Sequence, residues 1–531
     1  MMAGTWNRSE AIARIGRRSV PWDMVIIGGG ATGVGVALDA ASRGLEVVLI
    51  EQADFGKGTS SRSTKLVHGG VRYLQQGNLT LVRDALRERT WLRNNAPHLV
   101  HDLPFLIPCR SMWQRFYFGV GLKLYDFLAV GNRFGRSHGV SKATALALLP
   151  TLAPQTLQGG VIYHDGQFDD ARMLVNMART AHDQGGCLVN YVAATSLRKD
   201  QAGQIEAVIA TDQETGEQLE LPTRCVVNAT GPFCDQVRRL DDQHAEPMIT
   251  PSQGVHIVLP RSFFPGSTAM IVPKTSDGRV IFLIPWHGQV VVGTTDTAIS
   301  QATLEPQPQL GEVDFLLRTA SEYLSQTPTQ ADILSVFTGI RPLVKGDKSA
   351  RTASLSRDHV IRISPSGMLT ITGGKWTTVR KMAEDCVDQA IDAAGLSGGP
   401  CVTENLPLHG YLAEPGANER SHYGSDLEFI MQLETEHPEL ATRLHRSLDI
   451  RRSEVVWAAR YEMARTVEDV LARRTRLLFL DSQAAVEIAS QVARWLAGEL
   501  GRDDAWCDDQ INSFEQVAAA YLPPSLNRMP E

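Results

Sequence analysis

The chain has 531 residues, 43% of them hydrophobic and 21% charged, with a net charge of −7. That length accommodates two or three domains with sizeable cores, and the balance excludes both a disordered chain and a polytopic membrane protein. The acidic excess gives no reason to expect nucleic acid, so an anionic substrate needs a local basic cluster that works against the overall field.

Seven cysteines show no CxxC pair and no metal-ligand spacing, so no metal is expected and they read as reduced thiols of a protein kept inside the cell. The stretch up to Pro21 carries Arg8, Arg14, Arg17 and Arg18 but lacks the apolar core of a secretory signal. No run reaches the ~18 apolar residues that a spanning helix requires.

The first element is the most informative. Val25 to Ile27 form an apolar run that breaks at Gly28, Gly30 and Gly33, enters an alanine-rich helix over Ala31 to Arg43, and returns through Val47 to Ile50 to Glu51. Strand, glycines, helix, strand and acid form a dinucleotide-binding unit: glycines for a tight turn and close backbone approach, a helix N-terminus for pyrophosphate. The carboxylate accepts from a ribose diol and repels a 2′-phosphate, so FAD or NAD fits and NADP does not.

A Gly, Ser and Thr rich loop follows from Phe55 to Thr64, then a helix from Leu79 to Asn94. Cys109 to Gly135 mixes aromatic residues (Trp113, Phe116, Tyr117, Phe118, Tyr125, Phe127) with Arg110, Arg115, Lys123 and Arg133. It reads either as core of the substrate domain or as an amphipathic segment lying in a membrane interface. Asp169 and Asp170 cap a helix running to Gln184. Val189 to Leu197, Ile205 to Thr211 and Gln218 to Leu221 read as a β-meander, followed by a buried strand, Cys225 to Asn228.

Between Pro251 and Asp296 the pattern is again β, predicting an antiparallel substrate-side sheet from Val255 to Leu259, Val280 to Ile284 and Val290 to Gly293. Met368 to Thr372, the turn at Gly373 and Gly374, and a helix over Lys381 to Ala394 repeat the strand–glycine–helix texture. From about Leu406 the sequence turns helical. Ser453 caps one run, Thr466 with Asp469 another, and Asp481 a helix whose Ala485, Ile488, Ala489, Val492 and Leu496 share a face until Gly501. The fold class expected is α/β. A discontinuous Rossmann-like dinucleotide-binding domain (22–100, 166–250, 336–400) carries a substrate segment (101–165), an antiparallel substrate sheet (251–335) and an all-α C-terminal domain (405–531).

The N-terminal unit, TSSRSTKLVHGGVRYL from Thr59, NATGP from Asn228, TGIRPL from Thr338, TGGKWTT from Thr372 and VEDVLARRTRLLFLD from Val467 occur in an order that resembles the respiratory FAD-dependent glycerol-3-phosphate dehydrogenases. The resemblance spans about Asp23 to Leu522. It implies FAD as cofactor, sn-glycerol 3-phosphate as substrate, and membrane quinone as acceptor. It also implies a cytoplasmic protein held peripherally at the cytoplasmic membrane surface, and it tips the aromatic stretch toward the membrane reading. A homodimer stays open. The nearest rivals are an oxidase that uses oxygen and a related amine or amino-acid oxidase; a non-catalytic flavoprotein ranks last.

Arg72, Arg341 and Lys375 each sit beside glycines or a proline and can bind phosphate oxygens; similarity supports all three as substrate contacts. His68, between an apolar pair and a glycine pair, is the candidate base, the alternative being a histidine bonded to flavin or backbone. Arg341 shares the catalytic assignment, and Tyr73 is placed to donate to substrate. Similarity puts Ser60, Ser61, Thr64 and Lys65 against the cofactor's phosphates and ring, Thr230 and Gly231 near the FAD, and Gly373, Gly374 and Thr378 at its final contact. Two positions depart from the family pattern. Gln253 stands where many members have lysine, and Val379 where many have tyrosine.

Overall fold

The computed structural model describes residues 6–71, 79–129, 131, 134–155, 157–273, 275, 278–345, 359–416, 420–446 and 448–523. Arg72 and Tyr73, both expected at the substrate, lie outside the described residues.

Among the described residues, six strands make the first sheet, in the order His359–Ile363, Met368–Gly373, Val226–Asn228, Met24–Ile27, Val47–Ile50, Cys187–Val189. Every pairing is parallel except that of His359–Ile363 at the edge. Met24–Ile27 and Val47–Ile50 are buried at every position, as uninterrupted apolar runs require when helices cover both faces of a parallel sheet. The helix Ala31–Ser42 packs on Asp170–Asp183 and on Val379–Ala394. The chain leaves Met24–Ile27 toward Val47–Ile50 and later returns to the opposite side at Val226–Asn228. This reversal opens a crevice at the carboxyl end of the first strand.

The meander forms a separate three-stranded antiparallel sheet. The single strand expected over Val189 to Leu197 divides at Tyr191, whose φ of 56° lies in the left-handed region. Cys187–Val189 thus stays in the parallel sheet while Val192–Lys199 starts the meander. Tyr191 is held there through its hydroxyl, which donates to Asp469 Oδ1 at 2.7 Å.

The second large sheet has ten strands among the described residues and collects them from distant parts of the chain. Ile249–Pro260, Ala269–Val272, Ile281–Trp286 and Gln289–Gly293 fall in the expected β region. His101–Cys109, Gly159–Gln167 and the short Leu66–Val67 join from the N-terminal half. Ser335–Val344, expected with the cofactor domain, lies instead along Ile249–Pro260, with Arg341 opposite Ser252 and Gly339 opposite Gly254. Ten consecutive pairings hold it there, more than any strand of the parallel sheet offers.

The C-terminal helices follow their caps. Asp481 accepts the Ala484 amide at 3.0 Å, the helix Ser482–Leu500 buries the expected face, and Gly501 ends it at φ 65°. Arg451, rather than Ser453, occupies the cap of Arg452–Tyr461. This helical region is not detached: its apolar core includes Val258, Trp286 and Phe337 of the second sheet.

Candidate active site

One cavity of about 530 Å³ opens where the two large sheets meet, within the size range of small-molecule sites, ~300–1,000 Å³. Its dinucleotide end is built from the first strand. Gly28 adopts φ 111°, and a Cβ there would come within 2.9 Å of the Ala229 carbonyl oxygen. A methyl at Gly33 would overlap the Gly28 carbonyl oxygen, so Gly33 packs helix on strand and does not itself line the cavity. Gly30 precedes the helix Ala31–Ser42, whose first amide donates to Ser60 Oγ at 2.9 Å. Glu51 accepts from the Gly29 amide at 2.6 Å and the Ala53 amide at 2.9 Å. Burial pushes its carboxyl up, with the two amides opposing. Each oxygen keeps a second lone pair for a ribose hydroxyl. Glycine floor, helix N-terminus and carboxylate together fit the adenosine and pyrophosphate of FAD.

Thr64, His68, Thr230, Gly231, Gly373, Gly374, Lys375 and Arg341 line the same cavity, as do Ser60 and Glu51. The sequence-predicted residues therefore converge from five separate segments. Ser61, Lys65 and Thr378 are not among the lining residues. Lys65, with φ 63°, turns its ammonium inward to Asp170 at 2.7 Å and the Ser61 carbonyl at 2.8 Å. Burial pushes that ammonium down to about 7 against the pull of Asp170, so Lys65 braces the loop from beneath.

Arg341 is aimed by four oxygens: Thr295 O at 2.9 Å, Thr294 Oγ1 at 3.2 Å, Gln253 O at 3.3 Å and Asp296 Oδ1 at 3.4 Å. Gly254 lies beneath it, and a Cβ there would strike the guanidinium. Gln253 itself faces away and donates to Glu312 Oε2 at 2.6 Å. The residue in place of the family lysine thus points out of the cavity. Val379 lines the cavity and touches the helix at Gly35, where a Cβ would come within 3.3 Å of its Cγ2.

His256 is the functional candidate that sequence reasoning missed. It lines the cavity with only 2% exposure, stacks on Phe337 at 4.6 Å between centroids, and places Nε2 3.0 Å from Thr64 Oγ1. Burial, and then the charges of Lys65 and Arg341, hold it well below the usual histidine range. A lone histidine among apolar strand residues reads as core; only its register opposite Phe337, one strand away from Arg341, gives it a role.

The loop after Glu51 is locked by the C-terminal region. Arg473 Nε lies 2.6 Å from Asp54, and Arg474 reaches both oxygens of Asp54 at 2.8 and 3.0 Å. Arg476 donates to the Ser61 carbonyl at 2.9 Å and to Asp170 at 3.0 Å. Lys57 closes the set with Glu468 at 2.5 Å. The sequence showed these arginines only as part of a motif, without partners.

Residues 23–380 match the model of the FAD dependent oxidoreductase family, and residues 419–507 that of the C-terminal domain of alpha-glycerophosphate oxidase. The chain is 42% identical over 525 residues to a mitochondrial glycerol-3-phosphate dehydrogenase of Arabidopsis thaliana, covering 91% of this chain and 83% of that one. It is 40% identical over 527 residues to the mitochondrial glycerol-3-phosphate dehydrogenase of Homo sapiens, covering 93% and 72%. The glycerol-3-phosphate dehydrogenase of Bacillus halodurans, solved in complex with FAD, superposes with a TM-score of 0.79 at 30% identity, covering 97% of this chain and 98% of that one. With the dinucleotide cradle, the convergent basic residues and the C-terminal helices all in place, the chain belongs to the FAD-dependent glycerol-3-phosphate dehydrogenases.

Proposed function

We propose that the protein oxidises sn-glycerol 3-phosphate to dihydroxyacetone phosphate and passes the electrons to membrane quinone. The observation that carries the substrate reading is Arg341. In a chain of net charge −7, a guanidinium aimed by four oxygens shares the cavity of the dinucleotide cradle with Lys375. That pairing suits a phosphate monoester, whose oxygens a guanidinium can grip in bidentate fashion.

Oxidising the secondary alcohol removes a proton from oxygen and a hydride from carbon. Bound FAD supplies the hydride acceptor. His256 takes the hydroxyl proton in this reading. Kept neutral by burial and by the cations Lys65 and Arg341, it is in the accepting form at physiological pH, and the Thr64 hydroxyl bonded to its Nε2 also lines the cavity. A second reading gives that role to His68, which is more exposed to the cavity than His256.

The quinone reading rests on the helix Met112–Leu128. Trp113 is 80% exposed and Phe127 70%, and Met112, Phe116, Tyr117 and Val120 are exposed beside them, while only Leu122 and Tyr125 are buried. Tyr125 does fill the core and Phe118 packs against it, whereas Trp113, Phe116, Tyr117 and Phe127 do not. Arg115 and Lys123 lie on it and Arg110 just before it, the pattern of an interfacial helix on an anionic surface. Leu122 and Tyr125 pack in one cluster with Leu66 and Phe282, both of which reach the cavity wall. Among the described residues no helix is long and apolar enough to cross a membrane.

Anaerobic titration with glycerol 3-phosphate tests the substrate. Bleaching of the flavin band at stoichiometric substrate is expected, and an unreduced flavin overturns the reading. Reoxidation then tests the acceptor: quinone reduction is expected, and stoichiometric peroxide in its place makes the protein an oxidase.

A further inference from the structure

The cavity wall at His68 is held from two sides through consecutive backbone amides. The His68 amide donates to Thr377 Oγ1 at 3.1 Å, in the turn that leads into the helix Val379–Ala394. The Gly69 amide donates to the Tyr125 hydroxyl at 3.0 Å and lies 3.4 Å from Asp165 Oδ1. The Tyr125 hydroxyl in turn donates to Asp165 Oδ2 at 2.8 Å, and Arg89 Nη1 closes on Asp165 Oδ1 at 2.6 Å.

Tyr125, Asp165 and Arg89 are at most 2% exposed. An ion pair buried this deeply carries a desolvation cost that apolar side chains of the same volume would avoid, and phenylalanine would fill the space of Tyr125 equally well. Packing alone therefore does not account for the trio. The Tyr125 hydroxyl and Asp165 Oδ1 both reach the Gly69 amide, and Arg89 holds Asp165 in place. Residue 69 is also glycine where a Cβ would run into the Tyr125 hydroxyl, so side chain and backbone approach each other as closely as only glycine allows.

We propose that Tyr125 is a positioning residue of the substrate site: its hydroxyl, oriented by Asp165 and Arg89, fixes the Gly69 peptide and thereby the His68 side chain at the cavity wall. The inference rests on the reading that this cavity takes glycerol 3-phosphate. Tyr125 touches neither substrate nor cofactor in it. With the Thr377 contact intact, loss of the hydroxyl frees one side of the His68 backbone and leaves the dinucleotide end untouched.

The test compares wild-type holoenzyme with Tyr125→Phe and, as a second variant, Asp165→Asn. In hydrogen exchange followed by mass spectrometry, the segment 66–71 should exchange roughly tenfold faster in Tyr125→Phe, the change expected for one lost hydrogen bond, with the segment 24–51 unchanged. Reduction of the flavin by glycerol 3-phosphate should slow about tenfold at saturating substrate, while flavin content and reoxidation of dithionite-reduced enzyme stay at wild-type values. Asp165→Asn should move both readouts the same way. Unchanged exchange at 66–71 overturns the proposal, and so does a loss that falls equally on flavin content, reduction and reoxidation. If glycerol 3-phosphate fails to reduce even the wild type, the substrate reading falls, and the exchange comparison still decides whether Tyr125 positions the loop.

Discussion

Arg474 grips both carboxylate oxygens of Asp54 at 2.8 and 3.0 Å across 420 positions of sequence, with both residues fully buried. Burial disfavours the charged carboxyl, yet Arg474 and Arg473 outweigh it and hold Asp54 at about 2, against an ordinary 3.8. A depressed carboxyl stabilises the fold above its unfolded value and loses that contribution as pH falls through the folded one, so the window is about pH 4 to 2. Asp54→Asn leaves two buried guanidinium groups under-compensated and should cost roughly 3 kcal/mol at pH 7. Denaturant melts at pH 7 and near pH 2 check this; a gap between variant and wild type that ignores pH would count against it.

Arg341→Ala should leave flavin content intact and raise the KM for glycerol 3-phosphate about 10–100-fold, the scale of a lost charge-assisted contact. Arg341→Lys should recover only part, because an ammonium cannot reproduce the fork that Thr295, Thr294, Gln253 and Asp296 hold in place. Steady-state kinetics with a flavin assay on the same samples decides it. Wild-type KM in the alanine variant would remove Arg341 from the substrate.

His256→Gln should slow reduction of the flavin by about 10²–10⁴, the usual contribution of a general base. In the wild type, the folded environment lowers His256 well below 6.5, first by burial and then through Lys65 and Arg341. The neutral form therefore persists as pH drops through 6.5, and the reduction rate should fall only at distinctly lower pH. Stopped-flow pH profiles of the wild type, His256→Gln and His68→Gln separate the two histidines. An acid limb that vanishes in His68→Gln and survives in His256→Gln assigns the base to His68.

Gly33→Ala and Gly30→Ala should differ sharply. The first drives a methyl into the Gly28 backbone carbonyl, whereas the second meets only Ser60 Oγ at 3.2 Å. Gly33→Ala should give colourless or insoluble protein, and Gly30→Ala a holoenzyme with weakened FAD affinity, read from absorbance after gel filtration. Equal flavin content in the two variants would contradict the packing role of Gly33.

Replacing Trp113, Phe116 and Phe127 together by glutamine should abolish flotation with phosphatidylglycerol-containing vesicles while anaerobic reduction by glycerol 3-phosphate proceeds at the wild-type rate. These three side chains are exposed and outside the cavity. Undiminished flotation would refute the membrane role of this helix.

What the sequence displayed was local. The glycine triplet, Glu51, the caps at Asp169, Asp481 and Gly501 and the meander all depend on neighbours a few positions away, and the structure carries each of them. What it concealed was partnership at a distance. Resemblance alone puts Lys65 against the cofactor, and only the fold shows Asp170 beneath it. Nothing in the sequence sets His256 apart, because its neighbours along the strand are apolar. The strand His101–Cys109 was masked by Pro104 and Pro108, yet it pairs with Gly159–Gln167 over nine positions. The strand Ser335–Val344 went to the other sheet because its partner, Ile249–Pro260, lies some 80 residues earlier.

The arginine clamp also orders events in time. A ribosome delivers Asp54, Ser61 and Asp170 long before Arg473, Arg474 and Arg476, so the nascent cradle has its glycines and its acid but not the buttress behind its loop. Flavin that arrives during synthesis meets an unfinished wall. A chain stopped short of residue 473, lacking that buttress, should therefore hold its flavin less tightly than the full polypeptide.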